Sequence, residues 1–322
     1  MAQHSAYGIR SVDLAVRDIE MTKAFYEKVW GLKEVSRENG TVFMRATGRD
    51  HHVLAIHQAA RATMLSLNLC AKSRADVDAL HAQAKGLGAN ILDAPQDLPA
   101  IAGGGYGFAL ASPEGQRITI SAGVAEHTDH EQDVSKPERL SHVVLNAAKY
   151  DEQKAFYRDV LGFRMSDTTD YMDFLRCCED HHSVAVARAN GACMNHMAYE
   201  LPNMEGLMVG AGRMKQSGFD IGWGIGRHGP GDNVFSYFVE PNGFVTEYTT
   251  GMTQVINNDY EWHGPDYWAT AFQRPCRWGI AMDMKPGFRD AMKGKVVEEL
   301  NNQRCEDVIA KGLAQGLKDA VE

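Results

Sequence analysis

The chain has 322 residues, 44% of them apolar, and a formal net charge of −9. That is enough for two ordinary domains with cores of their own, and an acidic chain without a Lys/Arg run argues against nucleic acid or an anionic membrane as partner. No stretch approaches the ~18 consecutive apolar residues of a membrane helix, and the opening MAQHSAYGIRS lacks a signal-peptide pattern, so a cytoplasmic protein is expected.

In chain order, the strand "IRSVDLAV" leads into a helix with Ala24, Phe25 and Tyr26 on its apolar face, then into short strands. A second strand–helix–strands unit follows, ending with "SPEGQRITI" (112–120). The polar, acidic stretch 125–140 reads as a linker. Then the order restarts. "KAFYRDVLGF" (154–163) matches "KAFYEKVWGL" (23–32) at an offset of 131, and "CEDHHSVAV" (178–186) matches "GRDHHVLAI" (48–56) at 130. "QSGFDI" (216–221) pairs with "GLGANI" (86–91), and "EPNGFVTEY" (240–248) with "SPEGQRITI" at 128. Ordered anchors with so little drift mean a tandem duplication.

The second copy places a helix near 203–217 and a hairpin over 233–249, with Pro241-Asn242-Gly243 at its turn. The expected architecture is α+β: four βαβββ modules paired into two tandem domains, 1–124 and 139–251, with an extension over 252–322. The extension opens with Tyr260, Trp262, Tyr267, Trp268 and Trp278, and closes with helix-forming segments over 287–303 and 305–322. Cys70, Cys177, Cys178, Cys193, Cys276 and Cys305 show no C-x-x-C spacing and are expected to be reduced thiols.

A duplication carries its own control, because positions needed only for folding should survive in both halves. His142 stands where the first copy has Ser11, His196 where it has Ser66, and Glu247 where it has Thr119. Each difference exchanges a strong metal ligand for a weak one. A lone strand histidine usually serves the core or the surface, but three coordinated exchanges point to a site. If the paired modules curl into one cleft, two imidazoles and a carboxylate meet on one face of an ion and leave the other face open. That is the arrangement of non-haem Fe(II) oxygenases, and a divalent cation would compensate Glu247 inside its apolar strand.

"GRHGPGDNVFSYFVEPNGFVTE" (226–247) resembles the signature of the type I extradiol ring-cleaving dioxygenases of the vicinal oxygen chelate superfamily. Gly226, His228, Tyr237, Glu240, Pro241, Gly243 and Glu247 carry it, with Ser236 where an apolar residue is usual. The resemblance covers about 1–250. It implies a vicinal-oxygen-chelate fold, a metal-free first domain, and Fe(II), less readily Mn(II), on His142, His196 and Glu247. It also implies His182 as the acid–base histidine, with His181 as the alternative, and Tyr237 and His228 as polar partners of the substrate. Phe174 is a candidate for the wall of the ring pocket. A caution comes from the first copy, which keeps the pair His51-His52 without ligands. The implied reaction is cleavage of a catechol-type diol with O2 to a muconic semialdehyde-type product, in a homo-oligomer. Cleavage of hydroquinones at a similar site, a glyoxalase-like metal isomerase, and a metal-free drug-sequestering protein are the rival readings.

Overall fold

A computed structural model describes residues 4–129, 133–271 and 275–303. The first half contributes strands β1 (Gly8–Val16), β2 (Lys33–Glu38), β3 (Thr41–Arg45), β4 (Leu54–Gln58), β5 (Thr63–Cys70), β6 (Asn90–Asp97), β7 (Tyr106–Ala111) and β8 (Arg117–Ala122). The second repeats them as β9 (Arg139–Ala147), β10 (Arg164–Thr168), β11 (Met172–Arg176), β12 (Val184–Arg188), β13 (Cys193–Glu200), β14 (Trp223–Arg227), β15 (Val234–Val239) and β16 (Val245–Thr250). One helix follows the first strand of each module: α1 (Ile19–Ala24), α2 (Arg74–Gly86), α3 (Tyr150–Ala155) and α4 (Met204–Gln216). The four βαβββ modules are as expected. The stretch read as a linker ends slightly earlier, because Arg139 and Leu140 already pair within β9.

Each half is one eight-stranded sheet, ordered β2-β3-β4-β1-β5-β8-β7-β6 and, in the second half, β10-β11-β12-β9-β13-β16-β15-β14. The modules join where their first strands run antiparallel, β1 against β5 and β9 against β13. Local chemistry starts and stops the helices. The Asp18 side chain accepts from the Met21 amide at the head of α1. The helix then widens into a π-helical turn over Phe25–Trp30, and Gly31 ends it at φ 100°, a conformation that suits glycine.

Strand periodicity divides the faces. Val143, Leu145, Met197, Tyr199, Phe238 and Tyr248 belong to the main core, which also takes Phe25, Tyr26 and Trp30 from the first half. Trp30 stacks on Tyr248 at 3.8 Å between centroids, and the Tyr248 hydroxyl donates to the Trp30 carbonyl. The two halves thus share one continuous core. The alternate residues of each strand face the other way, and on the second sheet that face carries His142, His196 and Glu247.

The extension crosses that face. Its backbone bonds tie Thr253 to Gly231, His181 to Thr253, Arg277 to Arg227 and Lys285 to Gly222. It adds α5 (Pro265–Thr270), α6 (Phe288–Met292) and α7 (Lys295–Asn301), so the helical expectation over 287–303 becomes two short helices separated at Gly294. Phe288 and Ala291 pack with Phe235 and Tyr237 in a second apolar cluster. Cys70, Cys177, Cys178, Cys193 and Cys276 are free. Cys305 and the helical expectation over 305–322 lie outside the described residues. Among the described residues no helix is long and apolar enough to cross a membrane.

Candidate metal centre

Cross-strand register assembles the site in two rows. One row runs His142, Ala198, Glu247, Tyr237 and Trp223 across β9, β13, β16, β15 and β14. The neighbouring row runs Asp167, Phe174, Ala185, Val144 and His196 across β10, β11, β12, β9 and β13. His182 lies just before β12 and His228 just after β14, so all seven residues named from the sequence meet on this face.

His142 Nε2 and His196 Nε2 each lie 3.2 Å from Glu247 Oε2, and all three side chains are buried. These are the residues that form a candidate metal-holding group among those described. The other carboxylate oxygen, Oε1, accepts from Asn233 Nδ2 at 3.3 Å. Burial alone would raise the Glu247 carboxyl, and only positive charge beside it, on the imidazoles or on a cation in their place, holds it well below the usual carboxylate range.

Hydrogen bonding around His196 tests whether a cation fits. The Met292 backbone carbonyl can only accept, and it takes a bond from Asn146 Nδ2 at 2.7 Å. Asn146 Oδ1 therefore accepts from Asn195 Nδ2 at 3.0 Å, and Asn195 Oδ1 accepts from His196 Nδ1 at 2.8 Å. With its proton on Nδ1, His196 presents a lone pair at Nε2 toward an anionic oxygen. Neither His196 Nε2 nor Glu247 Oε2 has a hydrogen-bond partner. Two lone pairs at 3.2 Å repel, and a divalent cation turns that repulsion into coordination. The donor set suits such an ion.

The first sheet shows what the same rows do without ligands. There Ser11, Asn68, Thr119 and Ala109 replace His142, Ala198, Glu247 and Tyr237, and Ser36, Phe43, Ala55, Asp13 and Ser66 form the second row. Asn68 fills the centre: its Nδ2 donates to Ser11 Oγ at 3.0 Å and Asp13 Oδ1 at 2.7 Å, and its Oδ1 accepts from Ser66 Oγ at 3.1 Å. The exchange of Asn68 for Ala198 clears the space at which the three ligands converge. It went unread in the sequence because Ala198 is no ligand.

Around the triad, the His182 ring sits 4.4 Å from that of His142, whereas His181 lies behind it, its Nδ1 3.1 Å from His182 Nδ1. Burial first, and then His142, pushes the His182 imidazole well below its ordinary value, so it is neutral. Tyr237 hydroxyl and His228 Nε2 are 2.9 Å apart. Burial holds His228 down at about 4 and raises the Tyr237 phenol, so both are neutral. The pair is framed by Trp223, stacked on Tyr237 at 5.2 Å, and Phe235, stacked on His228 at 3.9 Å. Ser236 in the signature does not displace Tyr237, which pairs directly with Glu247. Phe174 stands 5.1 Å from His182, but Phe43 stands at 5.0 Å from His52 in the first sheet, so an aromatic there is common to both copies.

The profile of the Glyoxalase/Bleomycin resistance protein/Dioxygenase superfamily matches residues 8–120 and 139–248. The chain belongs to this superfamily. Metapyrocatechase 2 of Cupriavidus necator is 34% identical over 122 residues, 37% of this chain and 38% of that protein. The 2,2',3-trihydroxybiphenyl dioxygenase of Sphingomonas paucimobilis is 33% identical over 151 residues, 42% of this chain and 51% of that protein. The matched stretches thus span about two-fifths and about half of these relatives' own lengths. Over most of the chain, a Mn(II)-bound glyoxalase from Novosphingobium aromaticivorans superimposes with a TM-score of 0.81 at 38% identity, covering 88% of this chain and 94% of that one. The two separate matches agree with the duplicated modules.

Proposed function

We propose that the chain is an extradiol dioxygenase, cleaving the ring of a catechol-type substrate with O2 at a single Fe(II) held by His142, His196 and Glu247. The observation that carries this reading is the convergence of a three-ligand group and three neutral polar residues, His182, Tyr237 and His228, on one enclosed sheet face. A bound ferrous ion supplies the redox-active centre at which a diol and O2 can be brought together.

The protein's own groups do the remaining work. His182, being neutral, accepts a proton from the substrate diol and returns it as the ring opens. The Tyr237 hydroxyl donates to a substrate oxygen on which charge develops, and His228 orients that hydroxyl. The apolar wall of Phe174, Val144 and Ala185 excludes water beside them. The product is a muconic semialdehyde-type compound carrying both oxygen atoms. Labour divides along the units 1–124, 139–251 and 252–322: a metal-free scaffold, the catalytic unit and its cover. The enzyme works as a cytoplasmic homo-oligomer, which light scattering of the purified protein tests.

A glyoxalase-like isomerase is the second reading, favoured by the name of the Mn(II)-bound structure. Against it, no fourth titratable ligand joins the triad among the described residues. Protein loaded anaerobically with Fe(II) or Mn(II) and given a panel of catechols and hydroquinones should consume O2 and yield yellow ring-fission products with catechols. Isomerisation of a hemithioacetal without O2 uptake would overturn the proposal, and higher turnover with Mn(II) would reassign the metal.

A further inference from the structure

Behind His182 lies a run of side chains that the reading above leaves unused. His182 Nδ1 and His181 Nδ1 are 3.1 Å apart, and on the far side of the same ring His181 Nε2 lies 3.0 Å from Asp167 Oδ2. Asp167 is fully buried. Its Oδ2 also accepts from the Tyr260 hydroxyl at 3.0 Å, and its Oδ1 from the His263 backbone amide at 3.0 Å. Both of these partners come from the extension.

The direction of every bond follows from the ends. Asp167 acts as an acceptor at both oxygens, so His181, with one ring proton, gives it at Nε2 and carries a lone pair at Nδ1. Two lone pairs cannot face one another at 3.1 Å, so His182 Nδ1 must donate. His182 Nε2 is then the accepting atom of the ring, and among the described residues no protein group hydrogen-bonds it. We propose that Asp167 is a positioning residue: acting through His181, it holds His182 in the tautomer whose Nε2 takes the substrate proton. This rests on the reading of His182 as the acid–base group.

The duplication supports the assignment independently. The first copy keeps the histidine contact, with His51 Nδ1 3.0 Å from His52 Nδ1. At the position of Asp167, however, it has Ser36, which pairs with Phe43 as Asp167 pairs with Phe174, and its hydroxyl bonds the Ile101 carbonyl instead. The histidine pair is therefore a shared structural feature, and the carboxylate behind it occurs only in the half with the ligand triad. A catalytic imidazole needs its tautomer fixed; a packing imidazole does not.

Two measurements test this. In the full chain loaded with diamagnetic Zn(II) and labelled with imidazole 15N, long-range correlations read the tautomer of His182, assigned by comparison with His182→Phe. Wild type should carry the proton on Nδ1, and Asp167→Asn should move part or all of it to Nε2. A wild-type His182 protonated at Nε2 overturns the proposal without recourse to any variant. In the iron-loaded enzyme Asp167→Asn should lower kcat by ~10²–10⁴-fold, the cost of a misdirected acid–base group, with KM and metal content unchanged. Tyr260→Phe, which keeps the carboxylate, should lose less. Equal kcat for Asp167→Asn and wild type overturns the positioning role. A His182→Phe enzyme with normal turnover refutes the acid–base reading instead, and the tautomer measurement tells the two failures apart.

Discussion

Substituting Glu247 by Gln separates the contribution of the metal from that of the fold. Glu247 is wholly buried, and in chelator-stripped protein its carboxylate would rely on Asn233 and two imidazoles. Burying a charge costs several kcal/mol even after relaxation, whereas the amide keeps the volume and drops the charge. Stripped Glu247→Gln should therefore melt at the same temperature as stripped wild type or above it. Metal reverses the order. A cation present at about 100 times its Kd stabilises by about 2.7 kcal/mol. At about 2–4 °C per kcal/mol for a domain-sized unit, wild type should gain roughly 5–11 °C, and the variant little. Scanning calorimetry with and without Mn(II), alongside metal analysis, reads both effects, and wild type should bind about one ion per chain because the first sheet offers no equivalent triad. A variant that still binds the ion and still gains the full shift would show that the triad is not the site.

Ala198→Asn should abolish metal binding without touching a ligand. Asn68 holds the equivalent place in the first sheet, so the fold should tolerate it, while metal affinity measured by competition falls by ~10²-fold or more. Asn195→Leu should free the His196 tautomer and weaken metal binding by ~10–100-fold, read in the same assay. His182→Phe should retain its iron and lose ~10²–10⁴-fold in turnover per iron. In the first half, burial pushes His52 down to about 4. Its folded pKa lies below the unfolded value, so the unfolded chain takes up a proton that the folded chain refuses. Stability should fall as pH drops from about 6.5 to 4, by on the order of 3 kcal/mol. Denaturant titrations at pH 7 and pH 5 should show that slope, and His52→Phe should flatten it.

The fold and the candidate triad are legible because both leave a mark in the comparison of one half with the other. Strand periodicity and four matching anchors reveal the modules, and the exchange of Ser11, Ser66 and Thr119 for His142, His196 and Glu247 stands out because ligand strength is a property of residue type. Ala198 against Asn68 lay in the same alignment, but its meaning is the removal of volume at the centre of a row, and volume matters only once the register is known. Asp167 against Ser36 follows at the same offset of 131, but an acid on a strand has no evident role until its contact with His181 is known. The pairing of His51 with His52 argued for a structural role of the later pair. The geometry places His182 beside the candidate triad, while His181 turns its other nitrogen to Asp167. Tyr260, His263 and Met292 were illegible: the extension has no counterpart in the first half, and its contacts are long-range and aperiodic.

That extension explains why only one sheet face carries a charged site. On the first sheet the central side chains Asp13, Asn68 and Thr119 are half-buried, and they satisfy one another with neutral or singly charged hydrogen bonds. On the second sheet Glu247 and Ala198 are fully buried, His142 and His196 nearly so, and the covering chain supplies the Met292 carbonyl at one end and Tyr260 and His263 at the other. Excluding water strengthens the attraction between a singly anionic ligand set and a cation, and it makes an uncompensated carboxylate costly. Cover and ligands therefore depend on each other. Ligands without the cover would leave the His196 tautomer unfixed, since its hydrogen-bond chain ends on the Met292 carbonyl, and would open Asp167 behind His181 to water. Cover without the ligands would bury a face with no charge to exploit. The duplication provided two equivalent faces, and the extension docked on one of them makes that face suitable for a buried ion.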